Sequence, residues 1–176
     1  NAARGSADLY PKVIYTAMDA KVTIKDLAKQ WIVLDEISDN FERQPRDYQQ
    51  EAVDSWVANG RRGIVVLPTG SGKSYVAELC ILRTKRPTLI VVPTIDLLGQ
   101  WYDRLRLLLQ RKIGILGGGC HDIQPITVST YDSAQIHLPK YGNKFCLLIF
   151  DEVHHLPAPA YFNSTQSALA PFRLGL

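Results

Sequence analysis

At 176 residues, with 46% hydrophobic and 21% charged, the chain has the composition of one globular domain with a full core, which excludes an intrinsically disordered or low-complexity protein. A net charge of +3 permits a nucleic-acid partner without specifying one, and no apolar run is long enough for a helical membrane span, so no membrane partner is expected. Three cysteines, Cys80, Cys120 and Cys146, form no disulfide framework and read as reduced thiols, cytoplasmic in a prokaryote or nuclear in a eukaryote.

Residues 1–40 read as an extension or the remnant of an upstream domain, with a strand expected over Val13 to Ala17. A helix is expected from Ile24, where Thr23 and Asp26 make a capping-box-like start and Leu27, Ala28, Trp31 and Leu34 share a face. The main domain is placed at residues 41–176. Its first helix follows Pro45, carries Ala52, Val53 and Trp56 inward, and ends at Asn59-Gly60.

Next comes an apolar run, Gly63-Ile-Val-Val-Leu67, then Pro68-Thr-Gly-Ser-Gly-Lys-Ser74, then a helical stretch from Tyr75. Such a strand, loop and helix unit cradles phosphate. Thr69, Gly70, Ser71 and Gly72 bring backbone N–H groups close to an anion at the positive end of a helix. Lys73 reaches the outer phosphates and the Ser74 hydroxyl ligates Mg²⁺. Leu67 stands where the strict motif has glycine.

Beyond this unit, strand-like runs alternate with helical ones. They are Thr88 to Val92, a helix from Ile95 to Leu109 with Thr94 as N-cap, Lys112 to Leu116, Ile126 to Ser129, a short helix, and Phe145 to Phe150. Leu98, Trp101, Leu105 and Leu108 fall at helical spacing, so Trp101 reads as core and not as a base-stacking platform. Gly117-Gly-Gly119 with Cys120 and His121 reads as a surface loop, and Cys120, His121, His154 and His155 lack the spacing of zinc ligands. The last run ends in Asp151-Glu152, where Asp151 is suited to hold a metal and Glu152 to orient and deprotonate a water. Phe172 to Leu176 reads as one more strand. The alternation implies an α/β fold, a parallel sheet with helices on both faces, binding ligands at the carboxyl ends of its strands.

Five blocks together resemble the first RecA-like motor domain of a superfamily 2 helicase of the XPB family: Arg46-Asp-Tyr-Gln-Gln-Glu-Ala52, Leu67 to Ser74, Val92-Pro-Thr-Ile-Asp-Leu-Leu-Gly-Gln-Trp101, Thr127-Val-Ser-Thr-Tyr-Asp-Ser-Ala134 and Asp151-Glu-Val-His-His-Leu-Pro157. The resemblance implies a P-loop NTPase of the DExH type, with ATP and Mg²⁺ as ligands. Arg46 and Gln49 would recognise adenine, Lys73, Asp151 and Glu152 would be catalytic, and His154 would couple the site to a later motif. Pro93, Thr94, Gln100, Thr130 and Tyr131 would meet DNA, although Thr94 and Thr130 are equally suited to cap helices. Implied partners are DNA, a second RecA-like domain expected beyond Leu176 with its catalytic arginine, and subunits of repair-nuclease or transcription and repair complexes. The implied function is an ATP-dependent DNA helicase or translocase of excision repair or transcription, with little activity in this piece alone. Open beside it stand a restriction-type translocase, a phage recombination helicase and a nucleotide-switched DNA-binding module.

Overall fold

The computed structural model of the chain describes residues 5–37, 43–156 and 165–176. Among these, seven strands form one sheet in the order β1-β7-β6-β2-β5-β3-β4. The strands are β1 Arg62–Ile64, β2 Thr88–Val92, β3 Gly114–Gly117, β4 Cys120–Asp122, β5 Ile126–Thr130, β6 Leu147–Phe150 and β7 Phe172–Gly175. All neighbouring pairs are parallel except β3 with β4.

The helices are α1 Tyr10–Asp19, α2 Asp47–Ala58, α3 Lys73–Thr84, α4 Ile95–Leu109 and α5 Tyr131–Tyr141. None among the described residues is long and apolar enough to cross a membrane. Strands β2, β5 and β6 are buried along their whole length, as a sheet covered on both faces requires. Alternate residues feed two cores. Ile90 and Val92 pack with α2, α3 and α4 through Val53, Ile81 and Leu105, while Leu89 and Val91 pack with α5 through Ala134 and Leu138.

The expected helix from Ile95 to Leu109 is present with those bounds, and the Thr94 hydroxyl accepts from the Leu97 N–H over 3.2 Å. Leu98, Trp101 and Leu105 are buried, and the strand expected at the end of the chain forms β7. The strand before the phosphate loop is shorter than expected. Val65 still donates to the Gly175 carbonyl over 2.9 Å, but Val66 has left the sheet and is 87% exposed.

Three expectations are overturned. Residues 13–17 lie inside helix α1, with Pro11 in its first turn, and no strand forms there. The helix expected from Ile24 is absent: residues 22–37 form none, and Gln30 and Ile32 instead donate to the distant Asn143 and Lys144 carbonyls over 3.1 and 3.0 Å. The Asp26 carboxylate accepts from the Ala28 and Lys29 N–H groups and from the Tyr10 hydroxyl, so it closes a turn where a helix start was expected. The Gly117 to His121 segment is likewise a hairpin and not a loop. Its three glycines take positive φ of 147°, 59° and 81°, which folds Cys120 back opposite Gly117.

Candidate nucleotide site

The phosphate loop leaves β1 and enters α3 through Gly72, whose φ of 85° is left-handed. A side chain there is opposed twice, since a Cβ would also lie 2.6 Å from Gln49 Nε2. Helix α3 then opens at Lys73, which puts Lys73 and Ser74, both half-buried, in its first turn. A turn tightens the loop, with Ser71 donating from its N–H and its hydroxyl to the Pro68 carbonyl over 3.2 and 2.5 Å. Thr69 and Gly70 sit exposed at its tip, Gly70 with φ of 77° and open space around its Cα.

Helix α2 grips this loop from the side. Gln49 is fully buried, its Oε1 accepts from the Arg46 N–H over 3.0 Å, and its Nε2 donates to the Ser71 carbonyl over 2.9 Å. The same carbonyl accepts from the Tyr48 hydroxyl over 2.8 Å, and Arg46 Nη1 donates to that hydroxyl over 3.1 Å. Between Arg46 and Tyr48 on one side and residues 67–71 on the other lies an open cleft of about 420 Å³. Tyr48 was not singled out from the sequence, although its place one residue before Gln49 turns it toward the same loop.

One strand, β7, separates β1 from β6, so the carboxyl end of β6 faces the loop's side of the sheet. There Asp151, 7% exposed, has its N–H bound to the Val91 carbonyl over 2.9 Å. Its Oδ2 accepts from the Trp101 indole N–H over 2.7 Å, its Oδ1 from the Glu152 N–H over 3.1 Å, and its carbonyl from the Tyr131 hydroxyl over 3.1 Å. Glu152 is half-buried in a left-handed conformation at φ 51°, an unusual geometry for a residue with a Cβ. His154, largely exposed, has Nδ1 3.4 Å from Glu152 Oε2.

These residues fit a nucleoside triphosphate with a divalent cation. A glycine loop with Gly72 crowded against Gln49 opens a helix of twelve residues, and a buried carboxylate retains free lone pairs. The rim residues divide. Thr94 and Gln100 are exposed and Pro93 is half-buried at the start of α4. Thr130, read as either a DNA contact or a cap, is 7% exposed and caps α5 by accepting from Ser133; Tyr131, expected on DNA, is 3% exposed and its hydroxyl donates to the Asp151 carbonyl. Pro157 of the last motif lies outside the described residues.

Residues 42–176 match the family model of the type III restriction enzyme, res subunit. The chain is 53% identical over 131 residues to the DNA 3'-5' translocase XPB2 of Sulfurisphaera tokodaii, covering 74% of this chain and 30% of that protein. It is 38% identical over 144 residues to the DNA 3'-5' helicase XPB of Mycobacterium tuberculosis, covering 76% of this chain and 26% of that protein. The chain thus spans less than a third of the length of these relatives. In fold it is similar to the UvsW helicase of bacteriophage T4, with a TM-score of 0.65 at 24% identity over 97% of this chain and 70% of that one. It is also similar to the Sulfolobus solfataricus SWI2/SNF2 ATPase core in complex with dsDNA, with a TM-score of 0.67 at 17% identity over 82% and 34%.

Proposed function

The chain belongs to the family of the type III restriction enzyme res subunit, and from that premise we propose that it is the ATP-binding motor domain of an XPB-type DNA helicase or translocase. The observation that carries this reading is the pairing, at the carboxyl ends of parallel strands of one sheet, of a loop crowded at Gly72 with the buried carboxylate of Asp151. In this reading adenine enters the cleft beside Arg46 and Tyr48, where the guanidinium stacks on the ring. Gln49 exchanges its bond to Ser71 for the base edge or reads the base through its second amide hydrogen.

Backbone N–H groups of Gly70 to Lys73 and the Lys73 ammonium hold the phosphates, and the Ser74 hydroxyl and Asp151 hold the cation. Magnesium, when bound, supplies charge that neutralises the phosphate oxygens. Glu152 accepts a proton from the water whose oxygen bonds to the γ-phosphorus as the bridging oxygen departs with ADP. The exposed start of α4, with Pro93, Thr94 and Gln100, meets DNA phosphates without reading sequence. His154, beside Glu152, couples the site to the rest of the motor. Residues 1–40 form an extension to the domain at 41–176, and a second RecA-like domain and repair or transcription subunits are its partners.

Calorimetry of ATP, ADP and GTP with Mg²⁺ tests the reading. Adenine nucleotides should bind and GTP should bind far more weakly; equal affinity for GTP removes the base-reading role, and no binding of any nucleotide by this chain counts against the site.

A further inference from the structure

A tryptophan indole has one donor to place when buried, and Trp101, 3% exposed, gives it to Asp151, 7% exposed, over 2.7 Å. The Glu152 N–H occupies the other carboxylate oxygen, so one N–H on each oxygen sets the plane of the group. The backbone of the same residue is tied to β2 through Val91 and to α5 through Tyr131. Asp151 is therefore where β2, β6, α4 and α5 meet. The one side chain that bonds its carboxylate among the described residues lies on α4, the helix that begins at the exposed Thr94 and carries the exposed Gln100 next to Trp101. Leu98 and Leu105, one turn to either side of Trp101, are packed into the core, so α4 and the indole move as one body.

We propose that Trp101 is a positioning residue that holds Asp151 in the orientation a divalent cation needs and ties that carboxylate to the position of α4. The inference rests on the nucleotide-site reading above. Packing alone explains the ring, but not a donor aimed at the carboxylate that ends β6.

Trp101→Phe keeps an aromatic ring and removes the N–H. ADP affinity is measured by calorimetry with Mg²⁺ and with EDTA. The expected result is a loss of about tenfold with Mg²⁺ and an affinity in EDTA within about twofold of the parent chain. Equal losses in both conditions would reduce Trp101 to a core residue, and no loss in either would show that Asp151 is positioned without it. Asp151→Asn approaches the pair from the other side and leaves the ring in place. In nitrogen–proton spectra the Trp101 indole signal, identified by its absence from Trp101→Phe, should move in Asp151→Asn and on addition of Mg²⁺ with ADP. A signal unmoved by Asp151→Asn overturns the proposal. If the parent chain binds no ADP in either condition, the nucleotide reading falls and the metal role of Trp101 with it; a signal that still moves in Asp151→Asn then isolates the failure to the nucleotide site.

Discussion

Gln49 Nε2 donates to the Ser71 carbonyl over 2.9 Å from a side chain with no solvent exposure, which makes α2 a buried prop of the phosphate loop before any ligand arrives. Gln49→Glu tests the prop, since it keeps shape and swaps the donor for an oxygen facing an oxygen. The variant should lose about 2–3 kcal/mol of stability, the cost of a buried carboxylate set against a carbonyl oxygen. Urea denaturation reads this, and a loss under about 0.5 kcal/mol would show that the Tyr48 hydroxyl alone holds Ser71.

Gly70 and Gly72 share left-handed backbone but not surroundings. An alanine at residue 70 meets open space, whereas at residue 72 its Cβ lies 2.6 Å from Gln49 Nε2. Gly70→Ala should therefore cost only the conformational penalty of about 1–2 kcal/mol, and Gly72→Ala distinctly more. Thermal melts of the two variants side by side decide it. Equal shifts would mean that Gln49 moves aside freely, and that the close approach carries no constraint.

Lys73 lies half-buried in the first turn of α3, where an alanine keeps the helix. Lys73→Ala should melt within a few degrees of the parent chain and bind ATP with Mg²⁺ at least about tenfold more weakly, because a charge-assisted contact to phosphate is lost. ATP turnover should be slow even in the parent chain. The arginine that stabilises transition-state charge in such enzymes is expected from the second domain and is worth several orders of magnitude.

The buried thiols offer a check on the core. Burial pushes Cys80 up to about 12 and Cys146 up to about 11, while Cys120 is exposed on β4. A maleimide should label one thiol in the native chain and three in urea. Fast native labelling at more than one thiol would show that β6 or α3 opens readily.

Helix α4 was legible because three independent signals agree: a Thr94 cap, apolar residues at helical spacing and a clean end. The phosphate loop and the Asp-Glu turn were legible because their chemistry is local. Residues 10–37 were not, for reasons of context. Val13, Ile14 and Thr16 look like strand, yet Pro11 presets the first turn of a helix. The backbone of Gln30 and Ile32 is satisfied by residues more than a hundred positions away, which no local pattern announces. In the site itself, periodicity placed Trp101 in the core correctly, but it could not show that the indole donor ends on Asp151. For Thr130 the cap was one of the two readings left open and is the one that forms, whereas the Tyr131 hydroxyl, read as a surface contact, turns inward to the Asp151 carbonyl.

Glu78 on α3 and Arg104 on α4 join the phosphate-loop helix to the helix of the proposed DNA rim through a two-point pair, the second contact being Arg104 Nη2 to Glu78 Oε2 at 3.2 Å. The Glu78 side chain is 4% exposed and the Arg104 side chain 40%. Burial raises the Glu78 carboxyl above its ordinary value, and the Arg104 and Arg43 guanidinium groups pull it part of the way back. A carboxyl raised on folding binds more protons in the folded than in the unfolded chain, so its contribution to stability falls as pH climbs from the ordinary value of 4.5 through the raised one. Arg104→Ala removes a guanidinium that lowers it, which extends that fall to higher pH. The variant should therefore lose more stability at about pH 7.5 than at about pH 5, and Glu78→Gln combined with Arg104→Ala should lose the same amount at both. Urea midpoints for the three chains at the two pH values measure this directly. A pH-independent loss in Arg104→Ala would mean that Glu78 reaches water once its partner is gone, and that the two helices are joined by packing and not by charge.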